Sequence, residues 1–172
     1  MTVHLNYFVS YAHADKAAAQ NLLQLLHPRL AILRGYSFSH WIDDAIEPGT
    51  RWTDAIGDAL TACDFGLLLL SPSFLASNFI RRDELPVFIG QIQGPTGQAH
   101  TRVRKPLVPV LLKDVPLDGS ADLAGLEQLQ MFRDHEGRSF DRTRGHLRDA
   151  FADQLTQAIA TKLARLHPAT SP

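Results

Sequence analysis

The sequence contains a single cysteine, Cys63, which excludes a disulfide bridge within the chain and fits a reducing compartment. Its eight histidines form neither an HExxH motif nor a Cys/His ligand pattern, so no metal site is expected. The chain has no GxGxxG motif and no GxxxxGK[ST] motif, which argues against hydride transfer on a dinucleotide fold and against a P-loop. A GxSxG motif is also absent, so no nucleophile elbow supports a serine hydrolase.

Charge of neither sign dominates, because 17 lysines and arginines balance 18 aspartates and glutamates. This balance gives no electrostatic reason to expect direct binding to nucleic acid or to an anionic membrane. No apolar run approaches the roughly 20 residues of a membrane-spanning helix, and the first residues do not resemble a signal peptide. We therefore expect a cytoplasmic protein with one domain at residues 1–166 and a tail or linker start at 167–172.

Apolar segments of strand length alternate with segments of helical periodicity. Strands are predicted at residues 6–11, 37–43, 65–70 and 105–112, with a short fifth strand at 129–132. Helices are predicted between these strands and at 146–166, whereas residues 90–105 are predicted to form a surface loop. Asp15 and Ser71 are predicted to cap the helices that follow them, and Pro28 is predicted to kink or divide its helix. This alternation indicates an α/β protein with a parallel sheet covered on both faces.

Parallel sheets of this kind bind ligands beyond the carboxyl ends of their strands. The residues that follow the predicted strands are Ser10 with Tyr11, Asp43 with Asp44, Ser71, and Lys113 with Asp114. A phosphoacceptor receiver domain would need a carboxylate pair after the first strand and an aspartate after the third, so that function is rejected. An aromatic side chain near several carboxylates suits a nucleotide-like ligand, although this set of residues alone is unspecific.

The segment "SNFIRRDELPVF", residues 77–88, places four consecutive charges directly before Leu85 and Pro86. Because proline has no N–H group, the carbonyl of Arg82 loses its donor within the helix. We expect the resulting bend to present Glu84 to the crevice at the end of the sheet. The alternative is that Glu84 is a solvated helix charge paired with Arg81, one turn earlier.

Three motifs follow one another in a recognisable order. "YFVSYAHAD" resembles box 1 of the Toll/interleukin-1 receptor (TIR) domain, and "HWIDDAIEPGTRW" resembles its second box, with the BB loop at residues 44–49. "LLLLSPSFLASNFIRRDELP" resembles the third strand and the αC helix of bacterial members. The resemblance covers residues 4–165. It implies a flavodoxin-like three-layer sandwich with a central parallel sheet of about five strands in the order 2-1-3-4-5.

The resemblance implies two functions from different classes. Many bacterial and plant TIR domains cleave NAD+ between the ribose and nicotinamide, and some also cyclise the product. By its "DELP" context, Glu84 matches the catalytic glutamate of these enzymes. Ser10, Tyr11, Asp43 and Trp52 would then contact NAD+, which is the substrate, and no cofactor is implied. Other members serve only as TIR–TIR interaction modules in signalling.

The resemblance also implies partners. TIR enzymes commonly self-associate through the BB loop, so Glu47, Pro48 and Gly49 are expected at contacts with other TIR domains, in a homo-oligomer or filament. The implied role is that of an effector in a bacterial immune or cell-suicide system, controlled by a fused or separate sensor.

One position departs from the family pattern. Enzymes of the family often carry tryptophan four residues before the glutamate, whereas this chain has Ile80 there, beside Phe79. Phe79 would supply the aromatic ring only if the helix had another register, and Asp83 would then take the place of Glu84. The sequence "LP" after Glu84 favours the first register, and Tyr11 or Trp52 is then the aromatic candidate for stacking on the ligand.

Overall fold

The computed structural model describes residues 1–42 and 52–167, with only the backbone of Trp52. Its strands are β1 (Val3–Ser10), β2 (Tyr36–Trp41), β3 (Phe65–Leu70), β4 (Ile89–Gln93), β5 (Ala99–Val103) and β6 (Leu107–Leu111). Its α-helices are α1 (Lys16–Ala31), α2 (Trp52–Ala62), α3 (Pro72–Ala76), α4 (Leu85–Phe88) and α5 (His146–Leu166). A π-helical turn, Ile80–Glu84, lies between α3 and α4. No helix in the described ranges is long and apolar enough to cross a membrane.

The central sheet contains four parallel strands in the order β2-β1-β3-β6. All six residues of β3 are buried, which explains why its sequence is apolar without alternation. Leu67 packs with residues of α1 and α5 on one face, whereas Leu68 packs with residues of α2, α3 and α4 on the other. The predicted α/β class and flavodoxin-like layering are therefore confirmed.

The predicted fifth strand is reduced to a single bridge between Phe132 and Val110 of β6. Phe132 donates its N–H group to the carbonyl of Pro109 at 2.7 Å and accepts one from Leu111 at 2.9 Å. The next bond toward the start of the strand would need an N–H group on Pro109, which proline lacks. The ladder therefore stops after one residue, and the first half of β6 forms an open edge of the sheet.

The prediction of a surface loop at residues 90–105 was wrong, because most of this segment forms the antiparallel hairpin of β4 and β5. Its tip is closed by a hydrogen bond from the N–H of Gly94 to the carbonyl of Gln98 at 2.8 Å, and Gly97 has φ +79°. Most residues of the hairpin are exposed, so its strands lack the apolar alternation that would reveal them. The expectation that Pro28 could divide its helix was also wrong, since α1 continues through it to Ala31.

Two glycines offer a matched test of packing. A Cβ atom on Gly66 in β3 would lie 2.5 Å from Cε1 of Phe88, whereas one on Gly57 in α2 would meet nothing within 4 Å. Gly66→Ala is expected to destabilise the domain by about 1–3 kcal/mol through overpacking. Gly57→Ala is expected to stabilise it by about 0.5–1 kcal/mol through helix propensity. Urea unfolding of both variants measures the difference, and a neutral Gly66→Ala would contradict the close approach.

Candidate functional site

The carboxyl ends of the central strands bring several polar residues together. Ser10 ends β1, Ser71 directly follows β3, and Lys113 lies two residues after β6. The two serines are buried, with 2% of Ser10 and 0% of Ser71 exposed, although both carry polar side chains. Buried hydroxyl groups need hydrogen-bond partners, and here both partners are carboxylates.

Each of the two serines, at the end of one strand, bonds to a carboxylate in the segment that follows the neighbouring strand. The hydroxyl of Ser10, at the end of β1, donates to Oε2 of Glu84, which lies in the segment after β3. The hydroxyl of Ser71, at the end of β3, donates to Oδ2 of Asp15, which lies in the segment after β1. The segment after β1 is therefore bonded to the end of β3, and the segment after β3 is bonded to the end of β1. These bonds hold Glu84 next to the ends of both strands.

Glu84 reaches the site through the π-helical turn. The N–H of Leu85 bonds to the carbonyl of Ile80, five residues earlier. Pro86 cannot donate to the carbonyl of Arg82, which removes a bond that would hold the regular α-helical winding. The wider turn places Ile80, Glu84 and Leu85 in buried positions, with only 4% of Glu84 exposed. The helix is thus irregular at the expected place, and its carboxylate points inward.

The neighbouring charges of this segment face outward. Asp83 pairs with the adjacent Arg82 at 2.7 Å, with side-chain exposures of 37% and 77%, and Arg81 pairs with Asp122. Glu84 is therefore the carboxylate that the fold turns toward the strand ends. Ile80, which stands where family enzymes often have tryptophan, is buried in the apolar core and gives this site no aromatic surface.

Asp15 forms a second buried centre beside the first. Its carboxylate accepts the hydroxyl of Ser71 and lies 2.6 Å from Nζ of Lys113, while only 2% of the residue is exposed. The hydrogen bond to Asp15, together with its charge, raises the pKa of the Lys113 ammonium. Because Ser71 also accepts the N–H of Phe74 at 2.9 Å, it caps α3 as predicted. Asp15 links the ends of β1, β3 and β6.

This role of Asp15 was missed from the sequence. Asp15 was predicted to cap α1, but its side chain makes no capping bond and contacts Ser71 and Lys113 instead. A signal was available in the position of Lys113 directly beyond a predicted strand, at the edge of the sheet where polar side chains of neighbouring strands meet. The strand order implied by the resemblance places both residues at one edge of the sheet, but their direct pairing depends on side-chain positions that the sequence does not give.

The other predicted site residues lie in different settings. Tyr11 is 6% exposed and packs in the core on the α1 side, with its ring centroid 6.4 Å from that of His13. Asp43 and the BB-loop residues Glu47, Pro48 and Gly49 fall outside the described residues, as does the side chain of Trp52. Among the predicted site residues whose side chains the structure describes, Ser10 and Glu84 are in direct contact.

Two histidines form a cluster away from the strand ends. The rings of His27 on α1 and His40 on β2 have centroids 4.2 Å apart, and His40 also stacks on Tyr7 at 5.5 Å. Among the described residues, Nε2 of His27 is buried and has no hydrogen-bond partner. Burial, with a further contribution from His40, lowers the pKa of His27 to about 4.

Acidification is expected to destabilise the domain through this cluster. The pKa of His27 falls from 6.5 to about 4 on folding, so the unfolded chain binds the proton first. The free energy of unfolding is therefore at its full value above pH 6.5 and falls as the pH drops toward 4. Because His27 is only partly buried, solvent screening reduces the loss to about 2 kcal/mol. Urea unfolding at pH 7.5 and 4.5 measures it. His27→Leu should reduce the pH dependence, whereas the control His100→Leu, on the exposed hairpin, should retain it; equal pH dependence in both variants would contradict the assignment.

Comparison with known proteins agrees with this architecture. A family model described as TIR domain matches residues 8–147, a span that runs from the end of β1 through the π-helical turn to the first residues of α5. A sequence search of curated proteins gives no match. Since the family match covers most of the chain and the sheet has the corresponding parallel order, the chain belongs to the TIR domain family.

Proposed function

We propose that this domain cleaves NAD+ between the ribose and nicotinamide, with Glu84 as the catalytic carboxylate. The observation that supports the proposal is the position of Glu84, which the π-helical turn directs to the carboxyl end of the sheet, where Ser10 donates a hydrogen bond to it. Ligands of open parallel sheets bind at this edge. A catalytic role at this edge explains why a glutamate lies in a buried, irregular turn.

One carboxylate is sufficient for this chemistry. The nicotinamide of NAD+ is cationic in the substrate, keeps the electron pair of the broken glycosidic bond and departs neutral, so no general acid is needed. Positive charge develops on the ribose, and a fixed carboxylate beside it stabilises that charge. Water then attacks the same carbon and releases a proton to the solvent, which gives ADP-ribose. Attack by the adenine of the same molecule would give a cyclic product instead.

Further residues are proposed to hold the substrate. The hydroxyl of Ser10 donates to the Glu84 carboxylate. We propose that it orients this carboxylate and that Ser10 contacts the ribose of bound NAD+. Tyr11, Asp43 and Trp52 are proposed to complete the binding site for NAD+, with the two aromatic rings as candidates for stacking. In this proposal NAD+ is the substrate, and the reaction needs no metal or cofactor.

We further propose that the domain is a cytoplasmic effector of a bacterial immune or cell-suicide system, activated by self-association under the control of a sensor. The BB-loop residues Glu47, Pro48 and Gly49 would make the contacts between TIR domains. Pro48→Ala and Gly49→Ala are therefore expected to reduce NAD+ cleavage without unfolding the domain. Activity assays over a range of protein concentrations, with circular dichroism as the folding control, measure this effect. Unchanged activity at every concentration would contradict the coupling.

One observation favours a second candidate, a non-catalytic TIR–TIR interaction module. Only 4% of Glu84 is exposed, and its carboxylate already has a partner in Ser10, as expected of a residue that anchors a helix to a strand. In that case the pair would stabilise the fold and the surface would recruit other TIR domains.

The deciding experiment is incubation of the concentrated or crowded protein with NAD+, with the products separated by chromatography. Release of nicotinamide together with ADP-ribose or a cyclic isomer would support the enzyme. Stable NAD+ at every concentration, in a sample that self-associates, would favour the interaction module.

A further inference from the structure

The open edge of β6 borders a cavity of about 690 Å³ that lies apart from Glu84. Its floor consists of buried apolar residues of β6, namely Leu107, Val108 and Pro109, with Met131 from the segment that leads to the bridge. Residues 130–137 form one wall, and the end of α5 forms the other. A cavity of this volume has the size of a typical small-molecule site.

Three cations border this cavity, and none of them pairs with a carboxylate of the described residues. They are Arg133 on one wall and Lys162 and Arg165 on α5. The carboxylates on the rim are already occupied, because Asp134 pairs with Arg138 at 2.7 Å and Glu136 pairs with it at 3.5 Å. The cavity therefore presents an excess of positive charge, which favours an anion.

Among the three cations, Lys162 carries its charge in an unfavourable environment. Its ammonium group is partly buried beside the apolar floor, and the charge of Arg165 lies close to it. Burial, followed by the repulsion from Arg165, lowers the pKa of Lys162. An anion bound between these two side chains would relieve the repulsion and restore the favourable environment of the ammonium group.

The hydrogen-bonding groups of the β6 backbone favour a small molecule over an added peptide strand as the ligand of this cavity. Gly66 donates to the carbonyl of Pro106, so the peptide groups of Leu107 and Pro109 point to the open side. An added peptide strand would need consecutive donors along this side, and Pro109 supplies none. The N–H and carbonyl groups of Leu107 remain for one ligand group.

We propose that this cavity binds a small organic anion whose apolar body lies on the floor formed by Leu107, Val108 and Met131 and whose anionic group meets Lys162 and Arg165. The site is separate from the proposed NAD+ site, and it does not depend on that proposal. The anionic group can be a phosphate or a carboxylate, since both accept charge-assisted hydrogen bonds from lysine and arginine.

Isothermal titration calorimetry of the whole protein with 1-naphthyl phosphate and with 1-naphthoate tests the proposal and distinguishes the two anionic groups. At least one probe is expected to bind at least about tenfold more tightly than the neutral 1-naphthalenemethanol, because a hydrogen bond to a charged group is lost in the alcohol. Lys162→Gln and Arg165→Gln should each weaken binding of that probe about tenfold or more. The control Arg34→Gln, which removes the same charge in the turn between α1 and β2, should leave binding unchanged.

Several outcomes would overturn the proposal. Equal affinity for the neutral alcohol would show that the cations do not contribute. Equal weakening by Arg34→Gln would show a general charge effect. Absence of binding by both anions, with Lys162→Gln altering sedimentation of the protein, would assign this face to a second copy of the chain. Proton–nitrogen NMR spectra of the variants confirm folding, so loss of binding through unfolding is recognised separately.

Discussion

Glu84→Gln is expected to lower the rate of nicotinamide release from NAD+ by a factor of about 10²–10³, which is the effect of removing one preorganised electrostatic contact from a transition state. The amide has the shape of the carboxylate, and its oxygen still accepts the hydroxyl of Ser10. The variant therefore keeps the hydrogen bond that positions the side chain and loses only the negative charge. Single-turnover assays with chromatographic separation of nicotinamide measure the rate of the cleavage step.

The matched control for this variant is Asp83→Asn, because Asp83 is the adjacent carboxylate and pairs with the exposed Arg82 at the surface. The loss of such a pair costs at most about 1 kcal/mol of stability, and the rate of cleavage should not change. Cleavage that survives in Glu84→Gln and disappears in Asp83→Asn would assign the catalytic role to Asp83. Cleavage that survives in both variants would contradict a carboxylate mechanism in this segment.

The geometry of Glu84 could be predicted because its causes are local. Pro86 lacks a donor wherever it stands in a helix, so the irregularity at residues 80–84 follows from the sequence "DELP". The four parallel strands were predictable for a similar reason, since their apolar runs are set by burial on both faces. The wider identity of the fold came from the order of three motifs, each of which is weak alone.

The errors of prediction have causes that are not local. The hairpin of β4 and β5 is mostly exposed, so its sequence carries no apolar period, and only pairing between its two strands defines it. The predicted fifth strand does not form because Pro109 lies in the neighbouring strand with its nitrogen on the side of Phe132. Neither the register nor the strand neighbour of Pro109 can be obtained from the residues 129–132 themselves.

The Asp15–Lys113 pair has the same nonlocal origin, because its residues are far apart in the sequence and meet only at the strand ends. Asp15 is 2% exposed, so its charge is removed from water and depends on Ser71 and Lys113 for compensation. Removing one partner of a buried pair commonly costs about 3–5 kcal/mol. The Lys113 side chain is 37% exposed, so water screens this pair and reduces the cost of removing Lys113 to about 2–3 kcal/mol.

Lys113→Met is accordingly expected to destabilise the domain by about 2–3 kcal/mol, because it leaves the buried Asp15 charge with only the Ser71 hydroxyl. Adding Asp15→Asn in the same chain should recover at least about 1 kcal/mol, since the asparagine oxygen can still accept from Ser71 while the uncompensated charge is gone. Urea unfolding of the two single variants and the double variant gives the coupling energy. Arg82→Met, which breaks the exposed pair with Asp83, is the surface control and should cost at most about 1 kcal/mol. Additive effects of the two substitutions would show that Asp15 is not stabilised by Lys113, and the ends of β1 and β6 would then be held together by apolar packing alone.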